Sequence, residues 1–168
     1  MSAWYAILDC ARDHRLHKLV SQSIECRTLY DEPPDPAVAS VSPYLVKLSE
    51  DEPLLPTWRK HGRGKSWGLM FESASDIKRL RTEFRKCLKA RLPDGDIVMF
   101  RFYDPRVFLP YMLSSDAQGI APWFKEVGTY LVEGEGGVQH ALRFTKGQLV
   151  DRGKPVGLLA DQQGKATA

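Results

Sequence analysis

Residues 92–106, which read LPDGDIVMFRFYDPR, join a turn, an apolar segment and a charged end. Pro93-Asp94-Gly95 is typical of a tight turn, because proline presets φ and glycine accepts a positive φ. The β-branched and aromatic residues at 97–103 then predict a strand. Arg101 lies inside this apolar run, and a buried guanidinium group requires a carboxylate nearby. The segment therefore predicts either a structural ion network or the centre of a site.

Asp9, Arg101, Asp104 and Arg106 are the candidate members of that network. Asp104 precedes Pro105, which favours a role as the N-cap of a helix, paired with Arg101 or Arg106. Asp9 follows the first predicted strand and joins the network if the first and fifth predicted strands are neighbours. Carboxylates at strand ends also serve as catalytic groups in α/β enzymes. A small enzyme that uses Asp9, Arg101 and Asp104 is therefore the alternative function.

Short apolar segments alternate with helical patterns along the chain. Strands are predicted at residues 4–8, 24–29, 44–48, 67–73, 97–103, 124–133 and 138–144, and helices at 12–22, 55–61, 75–90, 105–113 and 115–121. This order predicts a single α/β (α+β) domain with a mixed sheet of about six or seven strands and packed helices. The glycines at 134–137 predict a C-terminal antiparallel hairpin. The domain is expected to occupy residues 1–146, and residues 147–168 are expected to form a flexible tail.

Composition is that of an ordinary globular domain. The chain has 168 residues, of which 43% are hydrophobic, and this is enough for one core. No apolar run approaches the roughly 20 residues that cross a bilayer, and the N-terminus lacks the pattern of a secretory signal. Three widely spaced cysteines suit a reducing compartment better than a disulfide framework. We expect a cytoplasmic protein with no membrane partner.

Motifs for catalysis and for ligand binding are incomplete. Residues 62–66, GRGKS, resemble the end of a P-loop. The first glycine of that motif would lie at position 59, which is Arg59, and the segment leads into a predicted strand rather than a helix. Cys10, His14 and His17 lie close in sequence but lack a further paired ligand for zinc. No G-x-S-x-G nucleophile elbow occurs. We therefore expect no metal, no cofactor and no catalytic residues.

Basic and aromatic residues indicate a protein-binding role. A cluster of Lys and Arg on the predicted helix at 75–90 can steer an acidic partner, or it can bind a phosphate backbone. No nucleic-acid-binding motif accompanies the cluster, so a nucleic-acid-binding module is the second alternative and nucleic acid is an unlikely partner. Aromatic residues and arginine dominate the binding energy of many interfaces. The predicted contact residues are Tyr44, Trp58, Trp67, Lys78, Arg85, Lys86, Lys89 and Arg106.

Four segments together resemble a known family. They are WYAILD at 4–9, SPYLVKL at 42–48, SWGL at 66–69, and residues 92–106. In this order and spacing, over about residues 3–127, the chain resembles the family called domain of unknown function 4123 (DUF4123). The resemblance implies a non-enzymatic bacterial adaptor, or chaperone, of type VI secretion. Its implied partners are a cognate effector protein and the VgrG spike protein onto which the effector is loaded.

Overall fold

Strands form the centre of the computed structural model, which describes residues 1–157 of the chain. In chain order they are β1 Ala3–Asp9, β2 Cys26–Thr28, β3 Pro43–Lys47, β4 Gly68–Ser73, β5 Lys89–Arg91, β6 Ile97–Met99, β7 Thr129–Glu133, β8 Gln139–Thr145, β9 Gln148–Asp151 and β10 Lys154–Pro155. Eight of them form one sheet in the order β10-β9-β8-β7-β4-β1-β3-β2. The remaining two, β5 and β6, pair only with each other.

Six α-helices and three other helical turns connect the described strands. The α-helices are α1 Leu16–Ser21, α2 Pro36–Ala39, α3 Leu54–Thr57, α4 Ile77–Arg85, α5 Pro105–Ser114 and α6 Ala117–Ile120. Helix α3 continues into a π-helical turn, Trp58–Gly62, and α6 continues into a 3₁₀ turn, Ala121–Phe124. A further 3₁₀ turn, Glu135–Gly137, lies between β7 and β8.

Strand β1 occupies a central position because it is apolar on both faces. It pairs with β3 on one side and with β4 on the other, and Ile7 lies opposite Leu45 and Leu69. A side chain at Gly68 would meet the carbonyl oxygen of Ile7 at 1.9 Å, so only glycine allows β4 to approach β1 there. The strand is thus enclosed by backbone pairing at its edges and by side chains on its faces.

Each face of the sheet carries its own hydrophobic cluster. On one face, Phe71 and its neighbours pack against α4 and α5; on the other, Leu8 and its neighbours pack against α1 and the π-helical turn. The α4 stripe is formed by Ile77, Leu80 and Phe84, which are all buried. The helix begins where the Asp76 side chain accepts a hydrogen bond from the backbone N–H of Arg79.

The α+β single-domain fold and the hairpin between β7 and β8 are confirmed. The sheet differs from the expectation in one respect, since each described strand pair is antiparallel and the sheet is not mixed. The predicted boundary at residue 146 is wrong, because β9 and β10 extend the sheet beyond it. The rest of the predicted tail, residues 158–168, lies outside the described residues. Within the described part, no helix is both long and apolar enough to span a bilayer.

The predicted strand at 97–103 is also wrong. Only Ile97–Met99 is extended, and it lies outside the central sheet. The chain then turns, and the backbone N–H of Asp104 donates to the carbonyl of Arg101 at 3.1 Å. Phe102 and Tyr103 are buried in this turn rather than in a strand. One part of the apolar run is an exposed strand and the other is a buried turn. Periodicity alone does not distinguish the two.

Candidate protein-binding surface

Asp9 and Arg101 form an ion pair at the end of β1. Asp9 is buried, with 2% of its side chain exposed, whereas half of the Arg101 side chain is exposed. Arg101 Nη2 donates to Asp9 Oδ2, and the backbone N–H of Ala11 donates to Asp9 Oδ1 at 3.1 Å. The two groups meet through the turn after β6, because β1 and β6 are not neighbours as the sequence-based hypothesis required. Arg101 is not buried in a strand.

Asp104 is the N-cap of α5 and also pairs with Arg106. Its Oδ1 accepts hydrogen bonds from the backbone N–H of Arg106 at 2.9 Å and from Arg106 Nε at 3.1 Å, while Oδ2 accepts from Nη2 at 2.7 Å. Burial alone would raise the pKa of the Asp104 carboxyl, but the hydrogen bonds and charge of Arg106 outweigh it, and the pKa is lowered. Asp104 therefore stays ionised and holds the first turn of the helix.

The Asp9–Arg101 pair joins the turn at 100–104 to the end of β1, and the Asp104–Arg106 pair holds the start of α5 that follows this turn. Each carboxylate is buried and is occupied by a guanidinium group, so neither is presented to a substrate. Arg106 still has 57% of its side chain exposed and remains accessible to a partner. The arrangement has the chemistry of a structural network whose two cations, Arg101 and Arg106, are partly accessible.

Two predicted aromatic contacts lie in the core. Trp58 and Trp67 are 8% and 1% exposed, and their rings lie 6.5 Å apart in the cluster between the π-helical turn and the sheet. Gly62 is required beneath them, because a Cβ there would lie 2.4 Å from Trp58 and 2.6 Å from Trp67. Tyr44 is half-buried, and its hydroxyl donates to the carbonyl of Ala39 at 3.0 Å. The two tryptophans are therefore packing residues rather than surface anchors.

The predicted basic cluster divides into structural and accessible residues. Helix α4 ends at Arg85, whose guanidinium donates to the carbonyl of Leu29 at 2.8 Å and to Asp31 at 2.7 Å. Lys86 is exposed and pairs with Glu83 at 2.9 Å. Two other predicted contacts, Lys78 and Lys89, are also exposed. Lys89 lies on β5 and not on the helix, because the predicted helix at 75–90 ends earlier.

The most exposed apolar strand was not predicted as a site. We call β5, the turn at 92–96 and β6 the arm. Ile97, Val98 and Met99 in β6 are 59%, 38% and 53% exposed, although they are the residue types that normally fill a core. In the register of the arm, Lys89 pairs with Met99 and Arg91 with Ile97. The tight turn at 93–95, followed by the strand-forming residues 97–99, was the available signal for this hairpin.

Aromatic packing holds the base of the arm. The ring centroid of Phe100, the residue after β6, lies 5.3 Å from that of Tyr111 and 6.1 Å from that of Trp123. Phe102 stacks on Phe84 of α4, with centroids 5.6 Å apart. The arm is thus an exposed apolar element on a firmly packed base, and such a base presents it in a fixed orientation.

A small apolar pocket lies next to this base. It has a volume of about 280 Å³. Its walls include Phe84, Cys87, Trp123 and Val127, and its rim includes Glu83 and Lys86. Lys86 and Cys87 lie just before the arm in the chain, so a partner bound to the arm has an adjacent pocket for an apolar side chain.

The thiols near these surfaces are not activated. Burial raises the pKa of the Cys10 thiol to about 12 and that of Cys87 to about 11. Neither thiol is a nucleophile at neutral pH as a result. Among residues 1–157, no three His, Cys, Asp or Glu side chains are grouped so as to hold a metal ion.

Comparison with known proteins identifies the family of this chain. Searches of curated proteins and of solved structures gave no match. The model of one family, domain of unknown function (DUF4123), matches residues 4–121. This match includes all of β1 except Ala3, the ion network and the whole arm, and it covers more than half of the chain. The chain therefore belongs to the DUF4123 family.

Proposed function

We propose that this protein is a non-enzymatic adaptor, or chaperone, for an effector of a bacterial type VI secretion machine. In this role it binds a cognate effector in the bacterial cytoplasm and assists its loading onto the VgrG spike. Membership of the DUF4123 family and the sequence resemblance described above support the proposal. The observation that carries it is the arm, which offers apolar side chains to a partner on a packed base.

Exposure of β6 leaves hydrophobic free energy available for binding. Full burial of a Val, Ile or Met side chain is worth about 1.5–3 kcal/mol, and the three side chains of β6 are roughly half exposed. Covering them contributes on the order of 2–4 kcal/mol. Association also costs rotational and translational freedom, so this patch needs support from further contacts. The apolar pocket beside the arm supplies one such contact.

Charge near the arm indicates the character of the partner. Lys86, Lys89 and Arg91 are exposed around β5. Lys89 and Arg91 form no ion pair with any residue in the described part of the chain. Unpaired surface cations attract an acidic surface and accelerate its association. The effector surface that binds here is therefore apolar with acidic residues around it.

Co-expression with the product of the adjacent toxin gene tests the adaptor role. The two proteins are expected to elute together in size-exclusion chromatography. Replacing Ile97, Val98 and Met99 together with threonine removes the apolar surface but keeps good strand formers. We expect this triple variant to weaken the complex at least tenfold in calorimetric titration.

Ile24→Thr is the matched control, because Ile24 is 89% exposed and lies outside the arm. It should leave the affinity unchanged. Separate elution of the two folded wild-type proteins would contradict the adaptor role. A triple variant that binds as tightly as the wild type would instead exclude the arm as the effector-binding element.

A further inference from the structure

We infer that the outer edge of β6 accepts an extended strand from the partner protein. On the face that it shares with Ile97 and Met99, the partner strand carries both apolar and acidic side chains. This inference rests on the proposed function for the identity of the natural partner, an effector. It goes further in assigning the binding mode, the edge and the chemistry of the segment that is recognised.

Two hydrogen bonds fix which backbone groups of the arm face inward. The backbone N–H of Leu92 donates to the carbonyl of Asp96 at 2.8 Å, and the N–H of Phe100 donates to the carbonyl of Leu88 at 2.8 Å. Hydrogen-bonded and non-hydrogen-bonded pairs alternate along an antiparallel ladder. Pairs 92/96 and 88/100 are both of the hydrogen-bonded kind, so the pair midway between them, 90/98, is of this kind too.

The intervening pairs point their backbone groups outward. Ile97 and Met99 therefore direct their N–H and C=O groups away from β5, and Lys89 and Arg91 do the same on the opposite edge. In the part of the chain that the structure describes, β6 has β5 on one side and no strand on the other. Its outer edge is thus ready to pair with another strand, which is the basis of recognition by strand addition.

Side chains on one face of the arm specify the added strand. Ile97 and Met99 share a face with their cross-strand partners, Arg91 and Lys89. A strand added beside β6 places its own side chains next to this apolar pair. The long side chains of Arg91 and Lys89 can extend across the pair toward the new strand. A strand with apolar and acidic residues two positions apart matches this face best, because such residues share one face and opposite charges stabilise neighbouring strands.

A second copy of this chain matches the edge less well. Two β6 edges paired about a two-fold axis would place Lys89 and Arg91 of both copies around the same apolar residues. The carboxylates of the arm do not relieve this charge, because Asp94 and Asp96 lie in the turn and Asp96 is out of phase with Ile97. An acidic partner strand neutralises the face, whereas a second copy doubles its positive charge.

A synthetic peptide tests the inference without the effector. The probe is an eight-residue peptide with the repeat Val-Thr-Glu-Thr, which places valine and glutamate in turn on one face and threonine on the other, and its control has lysine in place of glutamate. Nuclear magnetic resonance of the labelled full-length protein should show that the glutamate peptide shifts the amide signals of Ile97 and Met99 and slows their hydrogen exchange. The amides of Lys89 and Arg91, on the other edge, should exchange as before. If the signals and the exchange rates of the Ile97 and Met99 amides do not change, the inference is overturned, whether or not the effector binds the protein.

Proline substitution tests the same edge in the effector complex. Ile97→Pro removes an outward N–H and leaves the inward ladder intact, whereas Arg91→Pro makes the matched change on the edge of β5. We expect Ile97→Pro to raise the dissociation constant at least tenfold and Arg91→Pro to change it less than Ile97→Pro does. Arg91→Gln removes the charge of Arg91 but keeps its backbone N–H. Comparison with Arg91→Pro therefore separates the effect of the lost charge from that of the lost N–H. The Val98 amide, which lies in the inward ladder, should keep its slow exchange if the arm is still folded.

Different outcomes separate the binding mode from the function. If Ile97→Pro binds like the wild type while the triple threonine variant does not, strand addition fails and side-chain docking on the arm stands. Absence of an effector complex, together with peptide-induced protection of Ile97 and Met99, would refute the adaptor role and leave the strand-accepting edge. A wild-type dimer that Ile97→Pro converts to a monomer would identify a second copy as the occupant and overturn the acidic partner.

Discussion

Strands β1 and β6 have similar apolar composition but opposite environments. In β1, Ala6, Ile7 and Leu8 are fully buried, with paired strands at both edges and side chains packed on both faces. In β6, every residue is exposed and only one edge is paired. Apolar composition predicted a strand in both places. The burial of each strand depends on which elements lie beside it, and that is a property of the whole fold.

The difference also indicates where function lies. An exposed apolar strand with an unpaired edge promotes aggregation, and proteins usually protect such edges. Here the edge is short and basic residues lie next to it, which limits self-association but does not remove the apolar surface. Core strands stabilise the domain. We expect the arm to contribute little to stability, and we propose that its composition serves binding.

Truncation of Trp67 should give the largest loss of stability. Its side chain is buried between the π-helical turn and the sheet, and replacement of a buried Trp by Ala costs about 3–5 kcal/mol. Urea unfolding of Trp67→Ala should show this loss, with a fall in melting temperature of about 6–20 °C. Binding of the effector should weaken only in proportion to the unfolded fraction.

Trp67→Phe is the control, since it keeps most of the apolar volume and should lose less stability than the alanine variant. A folded Trp67→Ala protein of normal stability that no longer binds would return Trp67 to the interface. It would also contradict the division of roles in which core residues stabilise the fold and residues of the arm bind the partner.

Local chemistry in the sequence was sufficient for part of the main sheet. The continuous apolar run at 4–8 and the turn at 134–137 predicted β1 and the last hairpin, because each signal lies within a few residues of the element it forms. Asp104 before Pro105 predicted the cap of α5 for the same reason. The pairing of Asp9 with Arg101 was considered from the sequence, but the route that joins them is different.

Tertiary packing decided the features that the sequence did not predict. The apolar stripe of α4 continues to Cys87 and Leu88, yet the helix ends at Arg85, which binds the carbonyl of Leu29 across the fold. The run IVMFRFY divides between an exposed strand and a buried turn, because Phe102 packs against α4. Nothing in the local pattern distinguishes these environments, so the arm was missed as a site.

Asp104→Ala should give an intermediate loss of stability. The substitution removes the N-cap of α5, which is worth about 1 kcal/mol, together with a partly exposed ion pair worth about 0–1 kcal/mol. We therefore expect a loss of about 1–2 kcal/mol in denaturant unfolding. A fully buried pair would cost more, but Arg106 is more than half exposed. Effector binding should survive in the folded fraction.

Asp104→Asn keeps the cap and removes only the charge, so it should lose less. Its difference from the wild type should also depend on pH. The folded pKa of Asp104 is lowered, so its charge stabilises the fold above the ordinary pKa of aspartate, near 4, and this contribution declines as pH falls below it. The melting temperatures of the two proteins should converge below about pH 4. A normal melting curve for Asp104→Ala with abolished binding would make the ion network the functional site.

Substitutions in the arm should give the smallest change in stability. The triple threonine variant of Ile97, Val98 and Met99 removes little packing, because these side chains are already largely in contact with solvent. Surface changes of this kind are usually within about 0.5 kcal/mol at each site, which corresponds to about 1–2 °C in melting temperature per substitution for a chain of this size. A triple variant that melts normally but no longer binds the effector would support the contrast between β1, which stabilises the core, and β6, which binds a partner. A loss of several kcal/mol would show instead that β6 supports the core, and binding defects in the arm would then reflect unfolding.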